Sequence, residues 1–426
     1  MAGSGRSPEA AKSGRSRQDT IDGAAPRCLH GKRMHDLLAP SPDRAGTGSV
    51  KWDRYRGRDI LPFWVADMDF TSAPPVLEAL RRRVDHGVFG YTQPPAETVE
   101  ATRDYLRERH GLAVPAEWMV WLPGLVPALN LAARAFGHEG GGVITATPVY
   151  PPFLTAPQNA RVPLQGIPLV RAGNRWTFDW ATLEALDDGG LFLLCNPHNP
   201  VGTCFRRDEL EALRDLARAK DWVICTDEIH CDLILEEEVE HVPFLSLTEP
   251  GKDRVLALYS PSKTYNLPGL ACAYALLPGE EERVAFRREA AGLITEVNCF
   301  GYTGCAAAYR DGEPWRQELL AVLRANRNRV HEVLGRYPDW LTLYPMEATY
   351  LAWMDARRLP VDHPARFFEA HGVGLSDGVD FGAPGWLRLN FGCPPGLLEE
   401  GLDRMERALA SVRPAASASA AASSPR

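Results

Sequence analysis

The sequence predicts an α/β fold whose mostly parallel sheet is buried on both faces, with a smaller α+β unit attached. Two observations carry this. Five short apolar runs (Met119–Leu122, Val143–Ala146, Leu191–Cys195, Trp222–Thr226 and Val255–Tyr259) alternate with stretches of helical periodicity. Runs apolar at consecutive positions suit strands covered on both sides, and strand–helix alternation builds a parallel sheet. Past about residue 310 the alternation stops. One long helical stretch, "WRQELLAVLRANRNRVHEVLGRY", is followed by short mixed strands around "TYLAWMD" and "GWLRLNFG".

Taken in order, residues 1–43 are rich in Gly, Ser, Ala and Arg, lack apolar periodicity and read as a disordered tail. Residues 44–78 precede the alternation and form an arm expected to join the small unit. Residues 79–310 make the large domain and 311–413 the small C-terminal one. Residues 414–426 are a second, low-complexity tail. Within the large domain, "RDELEALRDLARAKD" (207–221) places Leu210, Leu213 and Ala217 at helical spacing, with Asp208 as the expected cap. A chain of 426 residues has room for both units.

Composition narrows the function. Lys and Arg total 47 against 55 Asp and Glu, a net charge of −8, which argues against a nucleic-acid-binding face. No apolar run reaches the roughly 18 residues of a membrane span, and no secretory signal is visible. Nine cysteines without a C-x-x-C pair argue against a zinc or redox site, so no metal is expected. Three of them, Cys195, Cys225 and Cys272, sit inside apolar runs as small hydrophobes. The reading is a reduced, cytoplasmic protein.

Ligands of an open α/β sheet bind beyond the carboxyl ends of its strands, so the residues following each apolar run were compared. After Met119–Leu122 comes "PGLVPALNLAARAF", where Gly124 turns into a helix start whose free N–H groups suit an anion. After Leu191–Cys195 comes "NPHNPVGT", in which two Asn-Pro steps stiffen a loop; this is either a structural turn or a mount presenting Asn199. After Trp222–Thr226 comes "DEIH". Asp227 is there either a cap or a site carboxylate needing a cationic partner. His230, three residues on, is either structural or faces the same place. After Val255–Tyr259 comes "SPSK", with Ser260, Ser262 and Lys263: hydroxyls for a phosphate and a lysine able to form a Schiff base once desolvated. A phosphate cradle, an asparagine, an aspartate and a lysine at one sheet edge meet the needs of pyridoxal 5′-phosphate (PLP).

These residues and their surroundings resemble the aminotransferase class I/II family of fold-type I PLP enzymes, and within it the cystathionine β-lyase-type C–S lyases. The resemblance spans roughly residues 44–410. It rests on "GTGSVKWDRY", "LPFWVADMDF", "GYTQPP", "PVYPPF", "NPHNPVGT", "DEIHCDL", "SPSKTYNLPGL", "EATYLAWMD" and "RLNFG" in that order. It implies the PLP-dependent transferase fold. It also implies that Lys263 holds PLP and moves the Cα proton, that Asp227 pairs with the pyridine nitrogen, and that Asn199, helped by His230, bonds the ring oxygen. Tyr150 would stack on the ring. Gly124, Leu125 (through its N–H), Ser260 and Ser262 would bind the phosphate. Tyr91 would reach the cofactor of a partner subunit in a homodimer. Arg388 would hold the substrate α-carboxylate, with Asn199 beside it. Trp64 and Asp67 would shape the entrance. One departure is Ala271, in "GLACAY", where many aminotransferases carry a phosphate-binding arginine; the C–S lyase branch commonly lacks it too.

The implied activity is α,β-elimination of a cysteine S-conjugate or cystathionine to a thiol, pyruvate and ammonia. Transamination, a decarboxylating or oxidative reaction on a cysteine-conjugated natural-product intermediate, and a regulatory binding protein retaining the fold are the alternatives. The last would be expected to have lost Lys263 or Asp227, and both are present.

Overall fold

The computed structural model describes Leu37 and residues 41–138 and 140–412. Nearly all of the 1–43 tail, and the whole 414–426 tail, lie outside the described residues. Along the chain the strands are β1 (Leu61–Pro62), β2 (Met119–Leu122), β3 (Val143–Thr147), β4 (Leu164–Ala172), β5 (Arg175–Phe178), β6 (Leu191–Cys195) and β7 (Val223–Asp227). They continue as β8 (Val255–Tyr259), β9 (Ala273–Leu276), β10 (Thr342–Leu343), β11 (Leu351–Asp355), β12 (Val373–Gly374), β13 (Ser376–Asp377) and β14 (Trp386–Asn390). The helices used below are α1 (Pro74–His86), α2 (Ala96–His110), α3 (Leu125–Phe136), α4 (Pro151–Ala160), α5 (Arg207–Ala219), α6 (Cys299–Asp311), α7 (Glu313–Leu334) and α8 (Pro395–Ser411).

Eight strands form the main sheet in the order β2-β9-β8-β7-β6-β3-β4-β5. The central ladder β8-β7-β6-β3-β4 is parallel, whereas β9 is antiparallel to both its neighbours and β5 is antiparallel to β4. Alternate residues of the same strands feed two cores. Leu193, Cys225, Leu256 and Ala275 pack on one face with α3, while Phe192, Ile224, Ala257 and Leu276 face the other. This is why the runs are apolar throughout.

All five predicted strands are present. The fourth is displaced by one residue: Trp222 lies outside it, with its indole N–H bonded to the Asp187 carbonyl at 3.0 Å, and Asp227 becomes the last strand residue. Three strands of the sheet were not read from the sequence. β4 mixes exposed and buried positions, the edge strand β5 has only four residues, and β9 spends two of its four on alanine.

The predicted helix in 207–221 forms over Arg207–Ala219 and buries Leu210, Leu213 and Ala217. Its expected cap is corrected: Asp208 is exposed, and Arg206 stands at the N-cap. Glu209, anchored by Arg175 at 2.8 Å, reaches back to accept the Arg206 N–H at 2.7 Å. A side chain already held on the inner face wins this donor over a solvated one.

Beyond residue 310, α7 packs on α8, and a separate antiparallel sheet runs β10-β11-β14-β13. The arm reaches this part of the chain: β1 pairs in parallel with β12, Leu61 opposite Val373. Its anchor is buried charge. Asp69 accepts from Lys51 at 2.6 Å, Arg44 at 2.6 Å and the Trp52 indole at 2.8 Å. Eight cysteines are described; all are buried and none is in a disulfide.

Candidate active site

The carboxyl ends of β2, β6, β7 and β8 open on a cavity of about 180 Å³. Each strand delivers a different functional group there, because the chain must leave the sheet at its edge through a turn whose polar groups have no ladder partner.

Beyond β2, Gly124 is the N-cap of α3, and no side chain caps that helix start. The first N–H groups of a twelve-residue helix therefore face the cavity with its positive dipole end. A Cβ on Gly124 would meet only Pro127, at 3.8 Å, and would otherwise occupy this cradle. Across from it, the Ser260 hydroxyl donates to the Cys272 carbonyl at 2.7 Å and lies 2.7 Å from the Ser262 hydroxyl. Helix N–H groups with two hydroxyls suit a dianion. Ala271 borders the same end of the cavity in a left-handed conformation, φ +51°.

Beyond β6, Asn199 is buried, and its amide oxygen accepts from Arg388 Nη1 at 3.0 Å. That bond fixes the amide's orientation and turns its N–H₂ end to the cavity. Asp227 is buried and, among the described residues, accepts from one donor, the Ile229 N–H at 3.1 Å. Burial lifts its carboxyl to about 7, so it is poised to take a cationic N–H partner. His230 is also buried. Burial, then Lys263 and Arg388, hold its imidazole well below its ordinary value, and Nδ1 has no partner. Tyr150, at the N-cap of α4, lines the opposite wall.

Lys263 projects from the loop after β8 and donates to the Ala66 carbonyl at 2.6 Å. Burial and the Arg388 charge bring its amine down to about 8, within reach of the free base at neutral pH. Behind it, Asp232 takes the Thr264 hydroxyl at 3.4 Å and the Tyr105 hydroxyl at 2.5 Å, which ties the lysine loop to α2.

Arg388, on β14, stands behind the cavity wall. Nη2 donates to the Trp64 carbonyl at 2.8 Å and to Ser376 Oγ at 3.2 Å, while Nε is buried without a partner. Among the described residues no carboxylate forms an ion pair with it, and burial brings it down to about 10. Trp64 and Asp67 belong to the arm; Asp67 pairs with Arg44 at 2.7 Å. Tyr91 stands apart from all of these, fully exposed in the segment between α1 and α2. Sequence reasoning missed Ala66 and Tyr350: one acts through its main chain, and the other lies 284 residues from the carbonyl it bonds.

The residues 58–405 match the family model described as aminotransferase class I and II. The chain is 36% identical to cystathionine beta-lyase PatB of Bacillus subtilis (strain 168), over 86% of this chain and 98% of that protein. The solved structure of OvoB is 43% identical with a TM-score of 0.84, covering 88% of this chain and 99% of that one. Cystalysin from Treponema denticola, whose structure contains a pyridoxal 5′-phosphate cofactor, is 30% identical with a TM-score of 0.84, over 88% and 99% of the two chains. With its sheet order, strand-end cavity and these likenesses together, the chain belongs to the aminotransferase class I and II family.

Proposed function

We propose that this protein is a PLP-dependent carbon–sulfur β-lyase that converts a cysteine S-conjugate or cystathionine, with water, to a thiol, pyruvate and ammonia. The observation that carries the reading is the meeting of Lys263, Asp227 and the Arg388–Asn199 pair around one cavity. The likeness to a cystathionine beta-lyase and to cystalysin supports it.

The site fits the cofactor on its own chemistry. The α3 cradle, Ser260 and Ser262 would hold the phosphate, with Gly124 and Leu125 supplying main-chain N–H groups. Asp227 would meet the pyridine nitrogen, Asn199 and His230 would bond the ring oxygen, and Tyr150 would cover the ring. When bound, PLP supplies the sink for the electron pair left by the Cα proton. The chain does the rest. Arg388 grips the substrate carboxylate as a fork and so sets which Cα bond is exposed to reaction. Lys263, released as an amine, takes the Cα proton, and the Cβ–S bond then breaks with the pair leaving on sulfur. Asp227 keeps its nitrogen partner protonated, which a buried carboxylate with one other donor is suited to do.

With this reading go the expected division at residues 79–310 and 311–413, supported by the eight-stranded sheet lying wholly in the first span and the four-stranded sheet wholly in the second, and a homodimer in which Tyr91 reaches the partner's phosphate. Full exposure of that tyrosine in a single chain supports the second. The test is product analysis on PLP-loaded protein given L-cystathionine or an aryl cysteine S-conjugate. Free thiol, pyruvate and ammonia in equal amounts, absent in Lys263→Ala, is the expected result. A keto acid formed without thiol, and only when an amino acceptor is added, overturns it.

A further inference from the structure

Residues 64–70 pass the site as an irregular strap, bent at Val65–Ala66 and Asp69–Phe70, whose carbonyls are met by side chains. Trp64 O accepts from Arg388 at 2.8 Å. Val65 O and Asp67 O both accept from the Asn390 amide at 2.6 Å. Met68 O and Phe70 O accept from the Asn266 amide at 2.9 Å. In the middle, Ala66 O accepts twice: from Lys263 Nζ at 2.6 Å and from the Tyr350 hydroxyl at 2.8 Å. The two amide clamps on either side leave this carbonyl little freedom to follow either donor.

We propose that Tyr350 is a positioning residue for Lys263: by donating to the same Ala66 carbonyl, it weakens that oxygen as an acceptor for the lysine and keeps the amine available as free base. The inference rests on Lys263 being the cofactor's lysine. The physical argument is short. A carbonyl that accepts from an ammonium stabilises the charged form and raises the amine's basicity. A second donor on that oxygen occupies a lone pair and draws density away, so the first bond weakens. Tyr350 is buried with its ring edge-on to His230, centroids 5.9 Å apart, and does not line the cavity. The hydrogen bond its hydroxyl makes to the strap is its link to Lys263. The other groups facing Lys263 are Asp227 from β7, Asp67 from the strap, Arg388 from β14, His230 after β7 and Tyr150 at the start of α4. Removing the Tyr350 hydroxyl changes none of their charges.

The test is Tyr350→Phe, which keeps the packed ring. In the apoprotein, the rate of Lys263 dinitrophenylation, read by the mass of its peptide across a pH series, gives the midpoint of the amine. The expected midpoint lies above that of the wild type by about half a unit or more, a roughly threefold loss of free base at a pH below both midpoints. In the PLP-loaded enzyme, the acid limb of kcat, which reports the substrate complex where Lys263 is a free amine, moves up in parallel. The control is Tyr309→Phe, which loses another buried hydroxyl, bonded to Tyr274 at 3.3 Å and, among the described residues, not to the strap, and leaves the midpoint in place. An unchanged or lowered midpoint in Tyr350→Phe, or an equal rise in the control, overturns the proposal. A visible cofactor band that survives in Lys263→Ala would instead overturn the reading beneath it, and the labelling midpoint stays readable either way.

Discussion

Arg388→Lys isolates the carboxylate clamp without removing its charge. A guanidinium has five N–H donors. Three hydrogen bonds are already committed, from Nη1 to Asn199 and from Nη2 to Trp64 and Ser376, which leaves one N–H on Nε and one on Nη1; these diverge, so a carboxylate taken by a fork displaces a bond that Nη2 now makes. Nε itself is without a partner. An ammonium cannot serve all of these positions from one nitrogen, and the carboxylate keeps at best a single bond. A charge-assisted hydrogen bond contributes roughly 1.5–3 kcal/mol. Losing one, with Asn199 less firmly held, predicts a fall of about 3 kcal/mol in transition-state stabilisation, or on the order of 10²-fold in kcat/KM. The assay is thiol release from L-cystathionine in protein whose visible cofactor band matches the wild type. Because the fork orients Cα as well as binding substrate, kcat falls together with the rise in KM. A change of less than threefold, or one confined to KM, would refute the reasoning.

The remaining predictions concern buried charge. In the apoprotein Asp227 is lifted from 3.8 to about 7, so the folded state holds a proton that the unfolded chain gives up sooner. That contribution to stability is present below about pH 4 and lost as pH rises through 7, up to roughly 4 kcal/mol by linkage. Apo Asp227→Asn is therefore expected to melt higher than the apo wild type at pH 8, with a smaller gap at pH 5; a pH-independent gap would contradict this. Asp69→Ala leaves Lys51 buried without its near carboxylate and takes one from Arg44, and is expected to cost about 3–5 kcal/mol in urea unfolding. A loss under about 1 kcal/mol would show that Asp67, 3.8 Å from Lys51, takes over the role.

Legibility in the sequence followed locality. The doubly covered strands were readable because apolar residues dominate consecutive positions in them, and the rule that ligands sit beyond strand ends then pointed to Gly124, Asn199, Asp227 and Lys263, which line one cavity. Strands without an unbroken apolar run were not readable, since β4 mixes exposed and buried positions and β9 is short and small-sided. Arg388 entered only through the resemblance. Its meaning depends on Trp64, Asn199 and Ser376, which the chain brings from three separate stretches. The same holds for Ala66, whose function resides in a main-chain oxygen that carries no residue-type signal.

The buried cysteines bear on how this protein coexists with its own product. A released thiol, once oxidised, tends to trap exposed protein thiols as mixed disulfides. Here all eight described cysteines are buried, and burial raises the Cys195, Cys225 and Cys231 thiols well above their ordinary value, which suppresses the reactive thiolate. Cys195 and Cys272 border the active-site cavity, whereas attack at Cys225 and Cys231 must await an opening of the chain. The rate of alkylation of the latter pair is therefore a clock for local and global opening, and turnover itself leaves that clock unwound.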